Sequence, residues 1–470
     1  MRVFQFSISK WSVTLVTYYS LCLRYICIIK LKKMNKILYH ITIGFLFFVS
    51  LLQAQQLVPI TKSEVLSKVS EDNQSLKISN EDFNGARADY RQTNAVFLPN
   101  ISVSHTGIST TNPLMAFGSK LNQAILTQND FNPALLNNPN QTQNFATKLE
   151  IQQPLINVDG IYQRKAAKAK MEATSLQSQR TKEYLSLEVE KAYMQLQLAY
   201  KGVAVLEKAL EAANSNKTLA ANSFNQGYLQ RADILNVEVH VTEIKNQLQT
   251  AKSNVQNASN YLSFLMNDET YVIYQPSDSL SIDKIDYKND MKISENRSDI
   301  KAMEFASNAY SNINKADKMA FLPRLNAFGS YELYDDQVFQ GDANGYLVGA
   351  QLSWDLFQGS KRIGKAQKSR SEYEKSKLQY DQYVSQSNLE LNKAKRAFTD
   401  AENRLNLTAL ALEQSEESLR IRTNRFKEGL EKTSDLLMAE TQFAQKQLEY
   451  YQTIFEYNYT QAYLDFLTKE

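Results

Sequence analysis

One short pattern occurs twice in this chain and limits what it can fold into. Phe224-Asn-Gln-Gly-Tyr-Leu-Gln-Arg-Ala-Asp233-Ile-Leu returns 202 residues later as Phe426-Lys-Glu-Gly-Leu-Glu-Lys-Thr-Ser-Asp435-Leu-Leu. The aromatic residue, the glycine three on and the aspartate six beyond keep their places. Each copy sits between two long segments without proline, so each reads as a helix-to-helix reversal. Gly227 or Gly429 can take the left-handed conformation that ends one helix, and Asp233 or Asp435 can cap the next. Two such hairpins half a chain apart indicate a tandem duplication.

The rest of the chain repeats the same plan. Residues 61–95 have a helical pattern interrupted by nothing stronger than Gly85, and end at Phe97-Leu98-Pro99. Ile101, Val103 and His105 then alternate with Ser102, Ser104 and Thr106, which is a strand. Residues 109–144 read as a loop rich in Pro, Asn and Gln. A second strand carries Phe145, Thr147, Leu149 and Ile151 on one side and closes at Pro154. Gly160 opens a helix that continues to about Asn222, and a return helix reaches Met266. After a polar linker holding Pro276, a helix from Ser294 leads to Phe321-Leu322-Pro323. One strand alternates Leu325, Ala327, Gly329, Tyr331 and Leu333, and its partner Tyr346, Val348, Ala350, Leu352, Trp354 and Leu356. Gly359 and Gly364 open the next long helix, and a last helix follows Gly429. All 8 prolines fall outside the long helices, as a proline-intolerant architecture requires.

Within the hairpins, Ile234, Val237, Val241, Ile244, Leu248, Ala251, Val255, Ala258, Leu262 and Leu265 are spaced 3-4-3-4. Leu185, Val189, Ala192, Leu196, Ala199, Val203, Leu206 and Leu210 form the matching seam. Leu391, Ala394, Phe398, Ala401, Leu405 and Leu412 repeat it, with Thr408 as an interruption. This period predicts left-handed coiled-coil packing. The Tyr- and Phe-rich last helix is expected to use its rings for core and interface packing.

Composition matters at the start of the chain. Both cysteines, Cys22 and Cys27, lie in the first 33 residues, so the body has no thiol for a disulfide or a metal. Those residues also hold six basic side chains and no acid; without them 47 basic residues face 50 acidic ones. A nucleic-acid binder would show a basic face, so that class is excluded. From Met34, Met-Asn-Lys is followed by an apolar run over Ile41 to Leu52 and then Gln53-Ala54-Gln55, the pattern of a secretory signal peptide. Met34 is expected as the true start and Ala54 as the cleavage site, the alternative being a membrane-anchoring extension. The expected divisions are 1–54 for the start and signal, 55–268 for the first repeat, 269–293 for a linker and 294–470 for the second repeat.

The strands set the class: mainly α with a small β part. Each is about 10–12 residues with one apolar face, long enough to cross an outer membrane when tilted. Four strands cannot close a barrel, and open edges do not occur in lipid. Several copies must therefore complete one barrel, with the hairpins extending it as a tube. A soluble or structural coiled-coil protein with two β insertions is the competing reading, and it leaves the matched strands beside a signal peptide unexplained.

On these residues the chain resembles the TolC-like outer membrane efflux proteins. The resemblance rests on the duplicated plan, the Phe-Leu-Pro entries, the Gln153-Pro154-Leu155 and Trp354-Asp355-Leu356-Phe357 exits, and the Gly…Asp reversals. It implies a homotrimer with a shared 12-strand barrel, a periplasmic helical tunnel, a periplasmic adaptor and an inner-membrane pump, serving efflux or type I secretion. Asp435 matches an aperture aspartate of the family and Asp233 is its counterpart in the first repeat. Met438 stands where some members carry a second acid, and Glu431 where some carry a latching arginine; Lys432 or Arg231 is the substitute expected for that latch. Gly227, Tyr228, Leu229, Gly429 and Leu430 would be the exposed tips that meet the adaptor.

No cofactor or enzymatic activity is expected. Beyond the signal region the only histidines are His105 and His240, and His240-Val-Thr-Glu243 lacks a third metal ligand. There is no phosphate loop, nucleotide fingerprint or nucleophile elbow. The apolar run Asn112-Pro-Leu-Met-Ala-Phe-Gly-Ser-Lys-Leu in the first surface loop is expected to fold over a barrel mouth.

Overall fold

The computed structural model describes residues 57–270, 272–283 and 291–469. The signal peptide and the proposed start at Met34 lie outside them. The chain divides into two units, Met1–Pro59 with Thr270–Gln275 and Ile60–Glu269 with Pro276–Glu470. In the first, β1 (Leu57–Ile60) pairs with β4 (Ile273–Pro276); the linker thus holds a short strand that its polar composition concealed.

The larger unit runs α1 (Lys62–Asp72), α2 (Gln74–Gln92), β2 (Asn100–Thr110), α3 (Pro113–Asn122), α4 (Pro133–Asn137), β3 (Thr142–Ile156), α5 (Val158–Asn225) and α6 (Arg231–Met266). After the linker come α7 (Ser298–Met319), β5 (Arg324–Asp335), β6 (Ala343–Ser353), α8 (Lys361–Lys427) and α9 (Thr433–Thr468). Helices α5 and α8 have 68 and 67 residues; at 1.5 Å per residue each is about 100 Å long.

Each long helix pairs with the return helix of its own hairpin, α5 with α6 and α8 with α9, and α5 also packs on α7 and α9. The seam is the one the spacing marks out. Ile234, Val237, Val241, Ile244, Leu248, Val255, Leu262 and Leu265 are buried, and so are Leu185, Val189, Ala192, Leu196 and Leu206. Thr408, the apparent interruption, is buried too, because its hydroxyl donates back to Arg404 O at 2.9 Å. On α9, Tyr457 is buried 5.3 Å from the Phe398 ring, and Phe455, Tyr459, Tyr463 and Phe466 stack as a ladder.

Three local expectations are corrected. The helix expected over 61–95 breaks at Asn73, whose backbone is extended. Its side-chain oxygen accepts from Ser75 and Leu76 N–H, and its amide donates to Leu265 O at 2.8 Å, so capping wins over continuation. The loop expected over 109–144 contains α3 and α4, each opened by an Asn cap followed by Pro at the first helical position. Strand β6 ends at Ser353, before Trp354, whose indole N–H donates to Phe321 O at 3.0 Å.

The four strands form a single antiparallel sheet in the order β2-β3-β5-β6. The join between the repeats is β3–β5, with Leu149 opposite Tyr331 and Ile151 opposite Gly329. A register shift after Pro154 absorbs the missing donor there. All the long helices leave from one end of this sheet, and the 111–141 and 336–342 connections cap the other.

Candidate functional site

Both reversals end their helices as the glycines require. Gly227 has φ +82° and Gly429 φ +72°. Tyr228 N–H donates to Ser223 O and Leu430 N–H to Arg425 O, both at 2.9 Å, which closes the last turn of α5 and of α8. An apolar cluster of Ala220, Ile234, Val237, Phe426 and Leu436 draws residues from all four hairpin helices and ties the two tips together. The duplicated aromatics part company here: Phe426 is 8% exposed and Phe224 36%.

The first tip is closed by packing. Leu229, expected among the exposed tip residues, is half-buried against the shared cluster; its side chain has apolar neighbours on both hairpins. Asp233 stands in the first turn of α6 and caps its start as expected, its carboxylate accepting from Gln230 N–H at 3.0 Å. Gly227 and Tyr228 project into solvent, Tyr228 with 79% of its surface exposed.

The second tip is closed by charge. Glu431, with a side chain only 10% exposed, accepts from Arg422 Nη1 at 2.7 Å and Arg425 Nε at 2.8 Å. Arg425 also donates to Leu430 O at 3.1 Å. Asp435 stands in the first turn of α9 with Arg422 at 3.9 Å, and its side chain makes no capping bond. The pair Arg422 and Arg425 was missed by sequence reasoning; they lie one to two turns before the reversal, and only the tip fold brings them to Glu431. Arg231 and Lys432 are exposed and make no ion pair among the described residues. Gly429 and Leu430 are exposed, as is Met438.

Farther up the hairpins, His240 Nε2 meets Glu440 Oε2 of the other repeat at 3.1 Å, and Asn216 donates to the same carboxylate. Glu243 lines the neighbouring cavity of about 310 Å³. No cluster of three potential metal ligands occurs among the described residues.

At the other end, the sheet has two unlike faces. Ile101, Val103, Leu149, Ile151, Tyr331, Tyr346, Val348 and Leu352 share one face, and all are exposed. The opposite face is mainly polar, Phe328 and Leu347 apart: Lys148 pairs with Glu150 at 3.2 Å and with Glu332 at 3.5 Å, beside Ser102 and Ser104. Where the strands meet the helices, Phe97, Phe321, Trp354 and Phe357 form an exposed aromatic band, with the Arg362 guanidinium 4.9 Å from the Phe321 ring. Apolar-out alternation with an aromatic girdle is the surface of a membrane-spanning β-wall.

The comparisons agree with this geometry. Residues 65–268 and 291–466 match the family model "Outer membrane efflux protein". The fold is similar to the channel-forming protein CusC (16% identity, covering 87% of this chain and 91% of that one, TM-score 0.75). It is also similar to the outer membrane channel CmeC of Campylobacter jejuni (15%, 87% and 85%, TM-score 0.75). The outer membrane protein VceC of Vibrio cholerae gives 17%, 87% and 95%, with a TM-score of 0.73. No curated protein matches the chain by sequence. The chain belongs to the outer membrane efflux protein family, whose place is the outer membrane with a helical tunnel reaching into the periplasm.

Proposed function

We propose that this protein is the exit duct of a tripartite efflux or type I secretion system, built as a homotrimer. The observation that carries the reading is the sheet: one exposed apolar face, one ion-paired polar face, and two edges, β2 and β6, that have no strand beyond them within the described residues. In lipid such edges are satisfied only by another copy, so β6 of one chain pairs with β2 of the next until the barrel closes. Three copies give twelve strands, enclosing the polar face as a water-filled lumen. The two repeats, 55–268 and 294–470, then supply equivalent parts of the wall.

The helices continue the lumen into the periplasm, and the tips mark its lower end. Gly227, Tyr228, Gly429 and Leu430 are the surface for a periplasmic adaptor, which links the duct to an inner-membrane pump. Asp435, held by Arg422 beside Glu431, is the aperture candidate; Asp233 serves its own helix. The duct is passive, and its cargo is set by the pump.

A non-transporting coiled-coil protein would not place eight large apolar side chains on one open sheet face. Fractionation separates the two readings. A duct stays with the outer membrane after a high-salt wash and is extracted by detergent as a heat-sensitive oligomer. Release by salt as a monomer would favour the structural reading.

A further inference from the structure

We propose that helix α3 of each copy packs its apolar stripe against the stripes of its neighbours, forming a plug inside the outer mouth of the barrel. This rests on the duct reading above. The first support is where α3 sits. Ala116, Ser119 and Gln123 are buried on its sheet side. The Gln123 amide nitrogen reaches Asn144 Oδ1 at 2.8 Å, Gln143 O at 2.9 Å and Asp335 O at 3.1 Å. Asn144 shares its side of β3 with Lys148 and Glu150 by the strand's alternation. Helix α3 therefore lies on the polar face, at the end of the sheet away from the long helices.

The second support is what α3 leaves uncovered. Leu114 and Leu121 form a stripe on the side turned from the sheet, 82% and 57% exposed, with Met115 beside it and Ile125, 47% exposed, just past the helix end. This spacing is one helical face. If the polar face encloses the lumen, the side of α3 turned from the sheet is turned to the axis. Rotation about that axis brings one such stripe from every copy to the same place. Water would leave these side chains unburied, and lipid lies beyond the opposite face of the sheet, so the occupant that fits is the same helix from the next copy.

The third support is that the loop is built to hold α3 still. Lys120 pairs with Asp130 at 2.7 Å, and Asp130 accepts from Thr127 N–H at 2.8 Å. The Phe117 ring meets Phe131 edge-on at 5.7 Å. The Lys120 hydrogen bond, with those from Thr127, holds the Asp130 carboxyl down to about 2, so the fastening survives any ordinary external pH.

Cysteine cross-linking tests this, because the chain has no cysteine after Cys27. Leu114→Cys and Leu121→Cys are introduced singly into the full chain, and outer membranes are oxidised with copper phenanthroline. Phe339→Cys serves as the control, since Phe339 stacks over His105 on the apolar face. The proposal expects a reductant-sensitive band of two chains for Leu114→Cys and Leu121→Cys, and none for Phe339→Cys. Monomer only, from variants that still give the heat-sensitive oligomer, overturns the plug and leaves the duct intact. Equal cross-linking of Phe339→Cys overturns it as random collision. Quenching of a fluorophore on Leu121→Cys by brominated lipid overturns it in favour of a membrane-lying helix. Loss of the oligomer from the unmodified chain overturns the duct reading and the plug together.

Discussion

Arg422 and Glu431 lie 2.7 Å apart at the second tip, and the positions 202 residues earlier hold Ala220 and Leu229. The duplicated hairpins thus close their ends by different physics. Leu229 and Ala220 join an apolar cluster; Glu431 takes two guanidinium groups and leaves the second of its tip acids, Asp435, on a longer 3.9 Å contact with Arg422. An ion cluster is an adjustable closure where an apolar one is fixed. The proposed aperture therefore belongs to the second repeat.

Removing that cation tests the assignment. Arg422→Ala leaves Glu431 with Arg425 alone and takes from Asp435 its one ion pair among the described residues. Around an aperture this adds uncompensated negative charge from each copy, so the isolated channel should become several-fold more cation-selective in reversal-potential measurements in planar bilayers. Stability should change by only about 1 kcal/mol, since the pair is partly exposed.

Asp435→Ala should raise passive ion conductance and weaken the cation preference. Conductance and selectivity equal to those of the unmodified channel would remove Asp435 from the aperture.

Gly429→Trp separates assembly from docking. A Cβ at Gly429 meets nothing within 4 Å in this chain, although the φ of +72° strains any L side chain, by about 1–2 kcal/mol. The heat-sensitive oligomer should persist while cellular efflux is lost, because the ring would project into the proposed adaptor surface. Normal efflux would place the adaptor elsewhere.

At the start of α7, at the end of that helix away from the sheet, Arg297 is 2% exposed. It bonds Asp299 through both carboxylate oxygens, donates to Leu467 O at 3.1 Å and meets Ser387 Oγ at 2.8 Å, so it fastens the C-terminus of α9. Arg297→Ala should cost about 3–5 kcal/mol and lower the dissociation temperature of the oligomer. Burial pushes the Asp299 carboxyl up, but hydrogen bonds from Arg297 and Tyr383 and the charge of Arg180 bring it below its ordinary value. A depressed folded value means stabilisation that is full above the unfolded value near pH 4 and lost as acid titrates the folded group. Thermal scans below about pH 4 should therefore fall steeply for the native chain and less so for Asp299→Asn.

Much of this architecture is written in local pattern. The unbroken spacing from Ile234 to Leu265 fixed the coiled-coil seam because a helix repeats its faces in sequence. The alternation from Ile101 to His105 placed β2 for the equivalent reason. Asn73 escaped notice because a capping side chain inside an amphipathic run leaves the periodicity nearly intact. The Asn112-Pro113 and Asn132-Pro133 pairs were readable as helix starts, yet proline and asparagine in bulk resemble a loop. Phe224 and Phe426 match in sequence but differ in burial, and Arg422 reaches Glu431 only once the chain has turned. Those relations are tertiary, and no local period carries them.

Several copies of this chain, three by the family resemblance, are proposed to close one barrel through the β2 and β6 edges. The most direct measurement is the native mass spectrum of the detergent-extracted protein. An assembly of three chains that heat converts to monomers is expected. A folded, detergent-stable monomer, with both edges left unpaired, would contradict it.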